Sequence, residues 1–245
     1  MAGAVAEIIV ICVDNSRWML SQKKFQTQCD AIMHYCQAKF AEHQDTVVGL
    51  YTMGSSRYPK LLDPTRSLAQ IHDSLQEIYP CEEDSELELA HALSHACFPL
   101  LPALDRPDRK ARILLIIGGL TDLASEHAKE IGKKYRETGI AVDIVLFYLG
   151  DTPEDKDDED EIYDSYYRQG RNELCLFFNL SNCNDNGRFL DVEGGSDICQ
   201  LISDSMFKKT PRLPEKQNEY VGELELFCKE EAVSDVTEVK ADSEL

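Results

Sequence analysis

The chain has 245 residues, 43% of them hydrophobic, and a formal net charge of −20 at pH 7. That is enough to build one α/β-sized core with an added tail, and charge of this sign disfavours nucleic acid and acidic membrane surfaces as partners. No stretch reaches the roughly 20 apolar residues of a membrane helix. Met1–Glu7 places no basic region ahead of an apolar segment, so no secretory leader is expected.

Strand and helix patterns alternate, which predicts a mostly parallel sheet covered on both faces. Glu7–Val13 is a continuous apolar run, as in a strand buried on both sides, and it ends in the turn and cap residues Asp14-Asn15-Ser16. Phe25, Cys29, Ile32, Met33, Cys36 and Phe40 form one helical stripe. Thr46–Thr52 reads as the second strand and Tyr58–Leu62 as a short third strand beside it. Asp63-Pro64-Thr65 is expected to open a helix carrying Leu68, Ile71, Leu75 and Ile78, which Pro80 stops. Leu89, Ala90, Leu93 and Cys97 mark a further helix, and Arg106–Arg112 a polar, basic loop.

Ile113–Ile117 is the fourth strand, closing at Gly118-Gly119. Ala124, Ala128, Ile131 and Tyr135 define the next helix, with Gly139 as its C-terminal cap. Ile140–Phe147 is the fifth strand, directing Val142, Ile144 and Leu146 to one face and Val145 and Phe147 to the other. Asp151–Glu161 holds eight acids against one lysine and is expected to form a mobile loop within an acidic insertion at 151–170. A helix over 173–180, a sixth strand at Arg188–Val192 and a last helix with Ile198, Leu201, Ile202 and Met206 complete a domain spanning 1–207. Residues 208–245 read as a charged, flexible tail in which Tyr220–Cys228 could add one short element.

The nine cysteines are scattered, form no C-x-x-C pair, and mostly fall at positions that look buried, which points to reduced thiols in the cytoplasm and nucleus. Motifs for enzyme chemistry are missing. No phosphate-binding glycine loop follows Val13, and neither G-x-S-x-G nor H-E-x-x-H occurs. His91 and His95 stand four apart and could share a helix face, with solvent exposure or packing as the plainer reading. No cofactor is expected.

In open parallel sheets, sites gather beyond the carboxyl ends of the strands. Three segments converge there: Asp14-Asn15-Ser16, the loop Glu82-Glu83-Asp84-Ser85, and Thr121-Asp122. Their oxygens are of the type that binds magnesium, while Asp14 and Ser16 could equally cap the following helix and pin the turn. This layout resembles the von Willebrand factor A fold: a mostly parallel, Rossmann-like six-stranded sheet with helices on both faces. The metal-ion-dependent adhesion site of that fold begins D-x-S-x-S and adds a threonine and an aspartate from later loops. Asp14, Ser16 and Asp122 match, but Trp18 occupies the second serine position and Ser85 stands only loosely for the threonine. An indole cannot ligate a hard cation, so the resemblance implies a degenerate metal site at Asp14, Ser16 and Asp122 that is expected to be empty.

Ile9–Trp18, Phe25–Ala31, Val48–Thr52, Leu61–His72 and Arg112–Ile117 together resemble the von Willebrand A domain of the multiubiquitin-receptor, non-ATPase subunit of the proteasome regulatory particle. The resemblance covers about residues 5–207. It implies a non-catalytic docking subunit that helps hold the lid and base subunits of that particle together, with Asp14, Asn15, Ser16, Arg17 and Trp18 as its docking surface. A metal-dependent adhesion-type scaffold, or a subunit of a transcription and repair complex, is the alternative. Ubiquitin-interacting helices of that family read acidic run, then apolar-x-x-Ala-x-x-x-Ser, a spacing that 208–245 does not contain. The one internal match, Leu87-x-x-Ala90-x-x-x-Ser94, falls on a helix expected to pack that face inward, so ubiquitin is not an expected partner.

Overall fold

The computed structural model describes residues 5–20, 22–54, 61–81, 87, 89–104, 106, 108–119, 121, 123–147, 158–182, 186–192 and 197–206. From the N-terminus these form β1 (Ala6–Val13), a 3₁₀ turn (Arg17–Met19), α1 (Gln22–Glu42), β2 (Val47–Thr52), β3 (Leu61–Thr65), α2 (Leu68–Gln76) and α3 (Leu89–Ala96). A 3₁₀ turn (Phe98–Leu100) then leads into α4 (Leu101–Leu104), β4 (Arg109–Ile117), α5 (Ser125–Thr138), β5 (Ala141–Phe147), α6 (Asp158–Ser181), β6 (Arg188–Val192) and α7 (Ile198–Met206).

The strands lie in the order β3-β2-β1-β4-β5-β6, all parallel except β3, which runs antiparallel to β2. The chain builds outward from β1 to β3, then returns to lay β4 on the other side of β1. Two crossovers therefore leave in opposite directions from the β1 and β4 ends, which opens a crevice at this switch point.

Every residue of β1 is buried, as its unbroken apolar run requires. Ile8, Val10 and Cys12 join one core cluster with Ile113, Leu115, Val142 and Ile144. Ile9, Ile11 and Val13 join the other with Leu114, Ile116, Val145 and Phe147. Apolar side chains of α3, α5 and α6 complete the first cluster and those of α1, α2 and α7 the second. The expected split of β5 between two faces is thus present in both layers. Gly139 ends α5 in the left-handed region at φ 71°, the conformation that favours glycine.

Four expectations change. β3 is Leu61–Thr65 rather than Tyr58–Leu62, so Asp63-Pro64-Thr65 lies in a strand and Ser67 caps α2 instead, its Oγ accepting from Gln70 N. Pro64 is tolerated because β3 is the sheet edge, where a missing N–H is harmless. The register shifts between Val48 and Leu50, and a Cβ on the intervening Gly49 would lie 2.8 Å from the Leu62 carbonyl oxygen. β4 begins at Arg109, since Arg109 to Arg112 pair with Ala6 to Ile9 of β1; the basic loop ends there. α6 starts at Asp158, so residues 158–161 are helical and not loop, while 148–157 lie outside the described residues. In α3 the inward stripe is Leu89, Ala92, Leu93 and Ala96; of the expected inward face, Leu87 is buried and Ala90 packs half-buried on the core, but Ser94 is exposed. Tyr220–Cys228 and the rest of 208–245 also lie outside the described residues.

α5 and α6 touch through Gly132, where a Cβ would lie 2.8 Å from Leu180 Cβ and 3.1 Å from Phe177 O. Both neighbours are stiff, so Gly132→Ala forces the helices apart and outweighs the better helix propensity of alanine. Its urea midpoint should fall by the equivalent of about 1–3 kcal/mol, measured by circular dichroism.

Candidate docking surface

The site is built around the turn that follows β1. Asp14, Asn15 and Ser16 are buried, Arg17 and Trp18 are half-buried, and Leu20 is 52% exposed. The polar residues at the head of this turn thus work inward, and the surface they support is presented by Arg17, Trp18 and Leu20. The Arg17 guanidinium lies 5.0 Å from the Trp18 ring centroid, close enough for a cation–π contact.

Asp14 and Asn15 each have a definite task, while the Ser16 Oγ is buried without a hydrogen-bond partner. Asp14 Oδ1 accepts from Ser16 N at 2.9 Å, and Oδ2 accepts from Gly118 N at 2.8 Å. One carboxylate therefore ties the end of β1 to the end of β4. Burial raises the Asp14 pKa and outweighs the lowering by hydrogen bonds from Ser16, Gly118 and Gly119. Gln28 of α1, also buried, clamps the Asp14 backbone from both sides: Asp14 N donates to its Oε1 at 3.0 Å, and its Nε2 donates to Asp14 O at 2.8 Å. Asn15 Oδ1 accepts from Gly54 N at 2.7 Å, and Asn15 O accepts from Cys81 N at 2.7 Å. Leu87 bridges Gly54 on one side and Thr121 on the other. The loops after β1, β2, α2 and β4 are therefore stitched into one rim at the switch point.

The glycines that close β4 allow this approach. A Cβ on Gly118 would meet Met19 Sδ at 2.7 Å, and one on Gly119 would meet Ser16 Oγ and Trp18 Cδ1, both at 2.8 Å. Any larger residue there would push the 3₁₀ turn away.

The rim holds Asp14, Asn15, Ser16, Arg17 and Trp18 together, whereas Asp122 and Glu82–Glu86 fall outside the described residues. Ser16 heads the 3₁₀ turn without a side-chain capping bond, so the turn is pinned by Asp14 rather than capped by both residues. At this rim the buried Ser16 Oγ and Thr121 Oγ1 have no hydrogen-bond partner and are of the oxygen type that magnesium takes, whereas the Trp18 indole cannot ligate. Asp14 spends an acceptor from each carboxylate oxygen on the backbone, and Trp18 stands where a second hydroxyl belongs. Among the described residues no three His, Cys, Asp or Glu side chains cluster to hold a metal. Four of the described cysteines, Cys12, Cys29, Cys36 and Cys97, are buried, and Cys81, Cys175 and Cys199 are partly so; all seven are free thiols. Burial pushes the Cys29 and Cys36 thiols up to about 12, away from nucleophilic use. Among the described residues no helix is long and apolar enough to cross a membrane.

Sequence reading passed over a second polar cluster, at the opposite end of the sheet. Arg112 of β4 donates from Nε to Glu7 Oε1 at 3.0 Å and from Nη1 to Asp143 Oδ2 at 2.8 Å and Asn186 O at 3.2 Å. Lys39 of α1 sits 2.9 Å from Glu7 Oε2, and Asp143 Oδ1 accepts from Arg188 N. The signal was present in the sequence: a lone acid inside the apolar fifth strand and a lone arginine two residues before Leu114 both need a buried partner. Gln28 had no such signal.

The described fold is that of a known group. Its structure is similar to the crystal structure of the SpRpn10 VWA domain (TM-score 0.65, 14% identity, 86% of this chain and 100% of that one). It is also similar to an aerotolerance-related membrane protein from Bacteroides fragilis (TM-score 0.56, 15% identity, 82% and 98%). In sequence it is 33% identical over 156 residues to a 26S proteasome non-ATPase regulatory subunit 4 homolog of Oryza sativa, covering 62% of this chain and 37% of that protein. The Arabidopsis thaliana homolog is 28% identical over 209 residues, with 83% and 49% covered. The chain thus spans half or less of the length of these two curated relatives. Residues 9–120 match the family model of the von Willebrand factor type A domain. Together with the six-stranded sheet, these matches show a von Willebrand factor A-type fold in a chain similar in sequence to the 26S proteasome non-ATPase regulatory subunit 4 homologs.

Proposed function

We propose that the chain is a non-catalytic docking subunit of the 26S proteasome regulatory particle, acting in the cytoplasm and nucleus to help hold lid and base together in ubiquitin-dependent degradation. The carrying observation is the similarity to non-ATPase regulatory subunit 4 homologs, reaching 33% identity over 156 residues. The geometry agrees with a docking role. Asp14, Asn15 and Gln28 fix the rim, and an arginine, an indole and an exposed leucine stand on top of it. Tryptophan and arginine are the residue types most often found at the centre of interface energetics. In this reading Asp14, Asn15 and Ser16 act as the support of the docking surface, and Arg17 and Trp18 touch the partner.

The test is affinity purification of the tagged chain from cell extract under gentle, nucleotide-containing conditions. ATPase and lid subunits of the regulatory particle should be recovered with it; recovery of neither overturns the reading. Arg17→Glu and Trp18→Ala, each confirmed as folded by thermal melting, should lower that recovery at least tenfold, the scale of a loss of about 2 kcal/mol at an interface centre.

A further inference from the structure

The helix α3 carries a pair of side chains that the docking reading does not use. Its buried stripe Leu89, Ala92, Leu93 and Ala96 faces the sheet, and this rotates His91, Ser94 and His95 outward into solvent. Residues four apart on a helix stack one above the other. The two imidazole rings follow that rule, with centroids 4.2 Å apart and planes tilted by 42°.

We propose that His91 and His95 form a two-imidazole clip for a divalent transition metal ion of the nickel, copper and zinc class. A metal sits about 2.0–2.1 Å from each ligating imidazole nitrogen. Two nitrogens in neighbouring coordination positions are then about 3 Å apart, a separation that rings 4.2 Å apart at their centroids reach by small rotations about their side-chain bonds. The helix backbone need not move.

His95 is held in place for this. Tyr51 of β2, itself buried, lies parallel to its ring at 6.1 Å and 14°, and Phe98 meets it edge-on at 5.6 Å. A ligand ring fixed by its neighbours loses less freedom on binding. Ser94 lies between the two histidines but turns its hydroxyl back to donate to Ala90 O at 2.9 Å, so it is no ligand. Water fills the remaining positions of the metal. Nitrogen donors select the nickel, copper and zinc class and reject magnesium. The site shares no residue with the Asp14 rim, so it stands or falls independently of the docking role.

The experiment is a titration of nickel chloride, zinc chloride and magnesium chloride into the reduced chain, followed by isothermal calorimetry. Nickel and zinc should each give a one-site isotherm and magnesium none. Binding should weaken at low pH, since the ligand form is the neutral imidazole. His91→Ala and His95→Ala should each weaken nickel binding at least tenfold, while His127→Ala, on the exposed face of α5, leaves it unchanged. Paramagnetic broadening of backbone amide signals by nickel should centre on Leu89–Leu101. A chain that binds no nickel, or a His91→Ala/His95→Ala variant that binds it as tightly as the parent, overturns the proposal.

Discussion

Replacing Arg112 by alanine should cost about 3–5 kcal/mol of folding stability, the scale on which a buried charge responds to the loss of its partner. Arg112 bonds both Glu7 and Asp143, and its removal leaves two buried carboxyl groups without their shared guanidinium, with Lys39 still beside Glu7. Urea unfolding at neutral pH measures the loss. Arg112→Lys should fall between the two, because one ammonium cannot fork to Glu7, Asp143 and the Asn186 carbonyl as the guanidinium does.

The same substitution has a pH signature of definite sign. In the parent chain burial raises the Glu7 pKa, but Arg112 and Lys39 lower it more, so its carboxyl ionises below its usual range. Its share of stability is present above the unfolded pKa and is lost as pH falls through the lower folded value. Asp143 is raised by burial, which Arg112 offsets only in part. Without Arg112 both carboxyls are pushed upward, and groups with raised pKa values favour the folded state at low pH. The gap between parent and Arg112→Ala should therefore narrow as pH drops from 7 toward about 4. A gap independent of pH would mean that the loss comes from packing of the arginine stem alone.

The legibility of this protein follows the physics of each segment. β1 and β5 were readable because strands buried on both faces must be apolar throughout or split cleanly between two layers, and Val142 to Phe147 do so. α5 was readable because its stripe and Gly139 agree. β3 was not, because Asp63-Pro64-Thr65 is as good a helix opening as an edge strand, and only the pairing with Val48 and Leu50 decides it. The N-terminal half of β4 was hidden because Arg109, Lys110 and Arg112 read as loop, while their place in the sheet depends on β1 and, for Arg112, on Glu7 and Asp143. At the rim, the sequence located the turn but not its direction. Asp, Asn and Ser after a strand suggest an outward site, yet all three are buried; Asp14 and Asn15 turn inward because Gly118 and Gly54 bring backbone N–H groups that need acceptors.

That inward role makes Asp14 the position where a pinning carboxylate and a metal ligand can be told apart. Asp14→Ala strands the Ser16 and Gly118 N–H groups, of which Ser16 is buried, and frees the 3₁₀ turn that carries Trp18. A buried donor left without a partner costs about 1–3 kcal/mol, so the variant should lose about 2–4 kcal/mol in urea, with or without magnesium in the buffer. Asp14→Asn keeps one acceptor oxygen and should recover part of the loss. Were Asp14 a working ligand, the result would differ in kind. The parent would gain stability with rising magnesium as metal bound the folded state, and both variants would lose that gain while keeping more of their metal-free stability. A loss independent of magnesium fixes Asp14 as the tie between β1 and β4, and with it the 3₁₀ turn as a rigid platform whose exposed side chains, rather than a bound ion, meet the partner.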